Sequence, residues 1–250
     1  MDLLETIKSR PVIGTWITSN SNKVLDSICS SGIDFAILDN EHGSISSTDL
    51  DSLVITCKSR KVTSIFRPSN NDQGKIQHAL DAGCNGIQVP NVESKKIAED
   101  VVRSVKYPPI GNRGFSPFVP VGDYDKDNSE SIINNGIKNT IICINIEGSN
   151  GIGDFKNIIK TKFIDIAFIG VFDITKMLGI PGQVNNIEVK KILKECSHIA
   201  KEEGKFIGTI ATSLNQAREY IDLGMKYIVY SVDMYEIKKV YSSVIEVLNK

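Results

Sequence analysis

Short runs of β-branched and aromatic residues alternate along the chain with longer segments of helical periodicity. Several of the runs are almost continuously apolar, which is typical of parallel strands covered on both faces. The pattern therefore predicts an α/β protein with a mainly parallel sheet. Eight runs predict strands, at residues 12–17, 35–41, 63–68, 86–92, 140–148, 166–173, 206–211 and 227–233.

The segments between the runs predict helices. Residues 189–200 and 237–248 place apolar side chains at i, i+3, i+4 and i+7, the spacing of one buried helix face. Eight alternating β and α units fit either a closed barrel or an open doubly wound sheet. The count of eight favours the barrel, and a length of 250 residues is usual for one such domain, so we expect a single (β/α)8 TIM barrel over residues 1–250.

One segment interrupts this alternation. Residues 107–128 are rich in proline and glycine and show no strand or helix pattern. Loops of this length inside a compact domain are uncommon and are often functional. A passive excursion over the surface is the alternative.

Composition narrows the class of partner. The net charge is -1 and no stretch is strongly basic, so neither nucleic acid nor an anionic membrane is an expected partner. The five cysteines are widely spaced without a CxxC pair, which argues against a zinc site or a disulfide framework and is typical of a reducing compartment. With no signal peptide and no apolar run long enough to cross a bilayer, we expect a cytoplasmic protein that acts on small molecules.

Polar side chains follow several of the predicted strands. In an α/β barrel the active site lies at the carboxyl ends of the strands, so side chains far apart in sequence should meet at one mouth. Any one of them alone is weak evidence, but four strands ending in such groups suggest a common site. The residues are Asp39, Glu41 and His42 after the second strand, Arg67 after the third, Asn145 and Glu147 after the fifth, and Asp173 after the sixth.

Glu147 and Asp173 are candidate metal ligands. Two carboxylates without cysteine or a second histidine suit a hard ion such as Mg²⁺ or Mn²⁺. Each carboxylate could instead pair with a nearby lysine, and Asp173 could cap the helix predicted to follow it.

His42 and Arg67 are candidates for proton transfer and anion binding. A histidine in a loop after a strand can move protons near neutral pH, although a purely structural hydrogen bond is an equal alternative. A buried guanidinium at the end of an apolar strand needs an anion, which could be a substrate oxygen or a neighbouring carboxylate. His78 and His198 lie within predicted helices, and we expect no role for them.

Seven motifs, in order along almost the whole chain, resemble those of the HpcH/HpaI aldolase family. The second carries the Asp-x-Glu-His-Gly pattern, and the last two carry the candidate metal ligands. The motifs are GTW (14–16), FAILDNEHG (35–43), FRPSNND (66–72), ALDAGCNGIQVPNVES (79–94), YPPIGNRG (107–114), INIEG (144–148) and FIGVFDITKMLGIPG (168–182).

The resemblance implies a (β/α)8 barrel that catalyses a metal-dependent aldol reaction, joining or releasing pyruvate or a related 2-oxo acid and an aldehyde. Mg²⁺ or Mn²⁺ is the implied cofactor, with Co²⁺ a further candidate. It also implies homo-oligomers, commonly hexamers built from dimers, in which the C-terminal helix is exchanged between subunits.

Residue roles follow from the same resemblance. Glu147 and Asp173 would hold the metal, and backbone amides around Phe172 and Asp173 would receive the carboxylate of pyruvate. Asn145 stands where the family usually has a glutamine that contacts substrate.

The implied acid–base group is His42, acting as general base through a water. Asp81 would hydrogen-bond His42 and raise its basicity, and Arg67 would stabilise the enolate oxygen. Arg113 would order the long loop.

Four positions depart from the family pattern. Asn145 is one methylene shorter than the usual glutamine, Val171 replaces a proline, Phe172 replaces a smaller residue and Gly148 replaces a threonine. These differences predict altered specificity rather than lost catalysis, and the aldehyde stays unspecified. The alternatives are a related lyase or condensing enzyme that uses phosphoenolpyruvate or a CoA thioester, and a catalytically silent barrel that binds a metabolite.

Overall fold

The computed structural model describes residues 2–249; Met1 and Lys250, which the predicted 1–250 domain includes, lie outside the described residues. The strands are β1 Val12–Ile17, β2 Phe35–Asp39, β3 Thr63–Arg67, β4 Gly86–Val89, β5 Ile141–Ile146, β6 Ile166–Ile169, β7 Phe206–Ala211 and β8 Tyr227–Val232. The helices are α1 Leu3–Ser9, α2 Asn22–Cys29, α3 Ser47–Ser59, α4 Gln73–Asp81, α5 Lys95–Val105, α6 Ser129–Asn139, α7 Gly148–Gly153, α8 Phe155–Ile158, α9 Val171–Met177, α10 Ile187–Glu202, α11 Leu214–Asp222 and α12 Asp233–Leu248.

The eight strands form a closed barrel in sequence order. Each strand runs parallel to the next, and β8 pairs with β1 to complete the ring. The predicted (β/α)8 barrel is therefore confirmed, and the open doubly wound sheet is excluded. Buried strand residues fill the interior, because both faces of the sheet are covered.

Two strands end three or more residues earlier than the sequence pattern predicts. The strand β4 stops at Val89, just before Pro90, which has no N–H to donate to a neighbouring strand. The strand β6 stops at Ile169, and the chain turns at Gly170 into α9. Asp173 therefore lies in the first turn of a helix. The prediction that it ends a strand is wrong.

The amino ends of the strands, which we call the floor, carry charged groups that are hydrogen-bonded within the protein. Arg10 donates to both carboxylate oxygens of Asp34 at 2.8 and 2.6 Å, and Asp34 also accepts from the Ile13 N–H at 2.9 Å. Lys106, which is 2% exposed, donates to the carbonyl oxygens of Ile137 and Thr140 at 2.7 and 2.8 Å. Each of these charged groups therefore has hydrogen-bond partners where the helices return to the strands.

The segment predicted to be irregular, residues 107–128, contains two short 3-10 turns at Pro120–Gly122 and Lys126–Asn128. Arg113 lies over the ring of Tyr107, 4.5 Å from its centroid, and donates to Asp81 at 2.6 Å. Arg113 thereby ties the start of this loop to the end of α4, as expected.

The C-terminal helix α12 packs on the barrel only at its first turn. Asp233 is buried and accepts hydrogen bonds from the backbone N–H groups of Thr18 and Ser19, at 3.1 and 3.0 Å, so it fastens the loop after β1. The rest of the helix exposes large apolar side chains: Met234, Tyr235, Ile237, Val240, Tyr241, Val244, Ile245, Val247 and Leu248.

An apolar groove of about 700 Å³ lies between α2 and α11, over the outer faces of β1 and β8. In a (β/α)8 barrel this is the place of the helix that follows the last strand. Its lining includes Ile13, Ile28, Ile33, Leu214, Ala217 and Ile228.

Within residues 2–249, no helix is both long enough and apolar enough to span a membrane. The five cysteines are all buried and free.

Candidate active site

The carboxyl ends of the strands, which we call the mouth, surround a cavity of about 510 Å³. Polar groups from four strand ends line one part of it: Asp39, Glu41, His42, Arg67, Glu147 and Asp173. An apolar wall lines the other part: Trp16, Phe168, Val171, Phe172, Ile210 and Val232. The structure thus brings together side chains from strand ends that are far apart in sequence.

The Glu147 and Asp173 carboxylates approach each other over Gly170. A Cβ atom on Gly170 would lie 2.8 Å from Cγ of Glu147 and 3.5 Å from Oδ2 of Asp173. Only a residue without a side chain leaves this space open. Gly148, the next residue after Glu147, has a φ of +81°, a conformation that the family's usual threonine would adopt only with strain.

Asp173 is not the cap of its helix. The N-cap of α9 is Gly170, three residues earlier. One oxygen of Asp173 accepts from the side chain of Lys176 at 3.1 Å, and both side chains are largely exposed. The capping alternative is therefore wrong, whereas a lysine partner is present at the rim.

Negative charge accumulates at this part of the mouth. Burial raises the pKa of Glu147; a hydrogen bond from Asn145 opposes this, and the charges of Glu41 and Asp173 add to it. Burial also raises the pKa of Glu41, against the opposing charges of Arg67 and His42. A cation between these carboxylates would relieve their mutual repulsion.

The donor set fits a hard divalent ion. Carboxylate oxygens are the ligands that Mg²⁺ and Mn²⁺ prefer, and two protein carboxylates leave positions for water and substrate. Among residues 2–249 there is no group of three or more His, Cys, Asp and Glu side chains arranged to hold a metal ion. Glu147 and Asp173 alone are the predicted pair.

Arg67 is held rigidly at the centre of the mouth. Its Nε and Nη2 atoms donate to the two oxygens of Asp39, each at 2.7 Å, and its guanidinium stacks on Trp16, 3.8 Å from the ring centroid. Nη1 lies 2.9 Å from Oε2 of Glu41, but this oxygen has no aligned hydrogen-bond donor among the described residues. The Nη1 group is therefore directed into the site without a well-formed hydrogen bond.

His42 lies in the exposed part of the mouth. Its side chain is 75% exposed, and its Nε2 atom is 3.9 Å from Oε2 of Glu41. It can therefore exchange protons with water and with a molecule in the cavity.

The expected hydrogen bond between Asp81 and His42 is not formed within the chain. Asp81 is the last residue of α4, and this end of the helix faces the floor, whereas His42 follows β2 at the mouth. The carboxylate of Asp81 is bound by Arg113 instead.

Asn145 is directed toward Glu147 rather than into the cavity, and its contact with substrate stays a prediction. Asn145 is fully buried and does not line the cavity. Its Nδ2 donates to Oε1 of Glu147 at 2.6 Å, and its Oδ1 accepts from Nε2 of Gln88 at 2.8 Å. The shorter side chain of Asn145 thus reaches the carboxylate of Glu147.

Phe172 lines the cavity and is 46% exposed. It lies with Asp173 in the first turn of α9, where backbone N–H groups have no acceptor within the helix. Whether these amides bind a carboxylate stays a prediction.

The sequence analysis placed Asp39 and Glu41 at the mouth without giving them a chemical role, and it did not single out Trp16 or Gln88. Trp16 is the one tryptophan of the chain, and Gln88 is a polar residue inside an otherwise apolar buried strand. Both features could have singled them out.

A family profile described as HpcH/HpaI aldolase/citrate lyase matches residues 12–238. Among curated proteins, the chain is 25% identical over 228 residues to a "2-keto-3-deoxy-L-rhamnonate aldolase" from Salmonella typhi and to one from Salmonella dublin. Each match covers 88% of this chain and 82% of the relative.

Two solved structures share the fold. An HpcH/HpaI aldolase from Desulfitobacterium hafniense has a TM-score of 0.93 at 22% identity, covering 100% of this chain and 97% of the other. An HpcH/HpaI aldolase/citrate lyase family protein from Burkholderia cenocepacia has a TM-score of 0.91 at 21% identity, covering 99% of both chains.

Proposed function

We propose, from the premise that this chain belongs to the HpcH/HpaI aldolase/citrate lyase family, that it reversibly cleaves a 4-hydroxy-2-oxo acid to pyruvate, or a related 2-oxo acid, and an aldehyde. Both activities in the family's description break a carbon–carbon bond, and the chain is a carbon–carbon lyase. The substrate named for the Salmonella relatives, a 2-keto-3-deoxy acid, is of the class that this reaction takes. The observation that supports the proposal most is the meeting of Glu147 and Asp173 over Gly170, beside Arg67.

Glu147 and Asp173 would hold the divalent cation, Mg²⁺ or Mn²⁺ with Co²⁺ as a further candidate. When bound, the ion supplies electrostatic stabilisation of negative charge on a substrate carbonyl oxygen. Amides at the start of α9, around Phe172 and Asp173, would receive the carboxylate of the 2-oxo acid.

His42 and Arg67 would carry the proton and the charge. In cleavage, His42 removes the proton of the 4-hydroxyl, directly or through a water, and the oxygen forms the aldehyde carbonyl as the C3–C4 bond breaks. The electron pair of that bond moves to the C2 oxygen as an enolate, to which Nη1 of Arg67 donates. His42 then returns the proton to C3, which gives pyruvate.

The rigidity of Arg67 matters for this role. Asp39 and Trp16 fix its guanidinium, so it needs no rearrangement as charge develops. Fixed donors of this kind are the main source of stabilisation in many enzymes. Asp81 is not brought to the site by this chain, and we propose no contact between it and His42 within one subunit.

Exchange of the methyl protons of pyruvate with solvent tests the reaction without an aldehyde. We expect proton NMR in D₂O to show exchange with Mn²⁺ or Mg²⁺ and none after EDTA. Exchange that survives EDTA, or none with any divalent ion, would contradict the proposal.

Glu147→Gln tests the ligand set. We expect calorimetry to show weaker Mn²⁺ binding, because the amide removes one negative charge and keeps the shape. A variant with unchanged affinity would remove Glu147 from the set.

We also propose that the protein is a homo-oligomer in which α12 of one subunit fills the groove of a second copy. The groove lies where the helix after β8 belongs. The start of α12 borders it through Asp233, Glu236 and Ile237, and the rest of the helix leaves its apolar side chains exposed. Exchange of an identical helix covers both surfaces by one symmetric operation.

Sedimentation with a matched pair of variants tests this arrangement. We expect the wild type to sediment as a dimer or a multiple of dimers, and Val244→Glu on α12 to shift it toward smaller species. Ile187→Glu, at an exposed apolar residue of α10, is the control and should leave the size unchanged. A monomeric wild type would contradict the exchange.

We further propose a cytoplasmic location. The five free, buried cysteines support it, because free thiols are typical of a reducing compartment.

A further inference from the structure

Three fully buried side chains form a line of hydrogen bonds across the barrel interior, ending at Glu147. The Tyr227 hydroxyl donates to Oε1 of Gln88 at 3.1 Å. Nε2 of Gln88 donates to Oδ1 of Asn145 at 2.8 Å, and Nδ2 of Asn145 donates to Oε1 of Glu147 at 2.6 Å. Tyr227, Gln88 and Asn145 are each 0% exposed. We call this the interior chain.

Every hydrogen bond of the interior chain has the same direction. A side-chain amide has one end that accepts and one that donates. Because Gln88 donates to the oxygen of Asn145, Asn145 has its NH₂ group turned toward Glu147, where a carboxylate requires a donor. Aligned hydrogen bonds in a low-dielectric interior also polarise and strengthen one another.

The position of Gln88 needs an explanation. It lies in the middle of β4, a strand whose residues are all buried, where an apolar residue could fill the same space. Burying an amide is unfavourable unless its polar atoms are hydrogen-bonded. Both polar ends of Gln88 make hydrogen bonds within the interior chain. A buried amide at this position is therefore explained by its link, through Asn145, to Glu147.

We propose that Gln88 and Tyr227 are positioning residues for the metal site. Through Asn145 they bind one oxygen of Glu147, Oε1, and thereby leave the other oxygen to face the cation. The inference rests on the metal-dependent reaction proposed above. It also accounts for asparagine at position 145, because the shorter side chain fits between Gln88 and the carboxylate.

The test removes the interior chain and measures the affinity for Mn²⁺ by calorimetry. Gln88→Met keeps the length of the side chain and loses both hydrogen bonds, so Asn145 becomes free to turn its oxygen toward Glu147. Loss of a group that orients a metal ligand typically weakens binding about 10- to 100-fold, and we expect a fall in this range. The matched control is Ser64→Ala, which removes a buried hydroxyl on β3 whose partner, Asn85, lies toward the floor; its Mn²⁺ affinity should equal that of the wild type.

Tyr227→Phe removes only the first donor. The ring stays stacked on Phe35, with centroids 4.1 Å apart, so the variant should fold. We expect about threefold weaker Mn²⁺ binding, as for one neutral hydrogen bond acting at a distance. If Gln88→Met does not fold, the Mn²⁺ affinity of Tyr227→Phe tests the positioning role by itself.

A second readout separates positioning from a general loss of structure. Saturating Mn²⁺ should restore the pyruvate exchange rate of Gln88→Met, because the defect lies in ion affinity. Unchanged Mn²⁺ affinity in a folded Gln88→Met, or in Tyr227→Phe if that is the variant that folds, would overturn the inference while leaving the proposed function intact. A wild type that neither binds Mn²⁺ nor exchanges pyruvate protons would overturn the proposed function itself.

Discussion

Both ends of the barrel bury charged groups, but the partners of these groups differ between the two ends. At the floor, Asp34 is bound by Arg10 and by a backbone N–H, and Lys106 is surrounded by carbonyl oxygens. At the mouth, burial raises the pKa of both Glu41 and Glu147. The charges of Arg67 and His42 oppose this at Glu41, whereas at Glu147 the hydrogen bond from Asn145 opposes it and the charges of Glu41 and Asp173 add to it.

This difference separates stability from function. Charges that are fully hydrogen-bonded hold the chain in one conformation, whereas charges left in excess are ready to bind an ion or a substrate. In α/β barrels the carboxyl end carries the chemistry and the amino end carries stability. Substitutions at the mouth should therefore change the reaction, and substitutions at the floor should change the free energy of unfolding.

The largest effect is expected for His42→Ala. The loss of a general base typically lowers turnover by about 10²- to 10⁴-fold, and the exposed position of His42 predicts no change in melting temperature or in Mn²⁺ affinity. Pyruvate proton exchange, thermal melting and calorimetry measure these three quantities. Exchange at the wild-type rate would show that another group moves the proton.

Arg67→Lys comes next. Lysine keeps the charge but cannot make the two parallel hydrogen bonds to Asp39 or stack on Trp16 in the same way. We expect turnover to fall by about 10²- to 10³-fold, as when one fixed donor is removed from a developing oxyanion. Steady-state kinetics of aldol cleavage would measure it, and a kcat equal to that of the wild type would mean that charge alone is sufficient.

Lys106→Met tests the floor. The substitution leaves the carbonyl oxygens of Ile137 and Thr140 without their donor, which should cost about 2 kcal/mol. The melting temperature should fall by about 4–8 °C, while pyruvate exchange per folded molecule stays at the wild-type value. A loss of pyruvate proton exchange without a loss of stability would contradict the assignment of stability to the floor and of catalysis to the mouth.

The smallest effect is expected for Asp34→Asn, and it depends on pH. Burial raises the pKa of Asp34, but the hydrogen bonds from Arg10 and the Ile13 N–H more than offset this, so the pKa lies below its ordinary value of 3.8. A carboxyl group whose pKa is lowered on folding stabilises the protein above its unfolded pKa and loses that contribution as the pH falls through the folded pKa.

Arg10 is half exposed, so screening limits the contribution of Asp34 to about 1 kcal/mol. Urea unfolding should therefore find Asp34→Asn less stable than the wild type by this amount at pH 7, and the gap should narrow as the pH falls below 3.8. A gap that stays constant down to pH 2 would mean that the ionised pair contributes nothing.

The sequence predicted the barrel because its strands are buried on both faces. Continuous runs of Val, Ile and Phe are typical of strands in a sheet that is covered on both sides. The order of the motifs indicated the family. Predicting that Glu147 and Asp173 would meet required only that parallel strands end at the same edge.

What the sequence could not give was the direction and partner of individual side chains. Asn145 and Glu147 are two residues apart, and only the position of Gln88, on a different strand, decides that Asn145 turns toward the carboxylate. Asp81 shows the same limit, since its partner Arg113 lies in a loop with no regular pattern. The apolar run in the sequence continues beyond Ile169 and so predicts that the strand reaches Asp173. In the structure the strand ends at Ile169, and Gly170 begins the turn into α9.

Asp233, which fastens the backbone after β1, has a consequence for the order in which the protein is completed. The ribosome releases residues of the first strand long before those of the last, and domains generally begin to fold from the N-terminus during synthesis. Here the loop beside the mouth that follows β1 gains its anchor from the first residue of the final helix. The loop after β1 therefore reaches its final shape only after Asp233, more than two hundred residues later in the chain, has been synthesised.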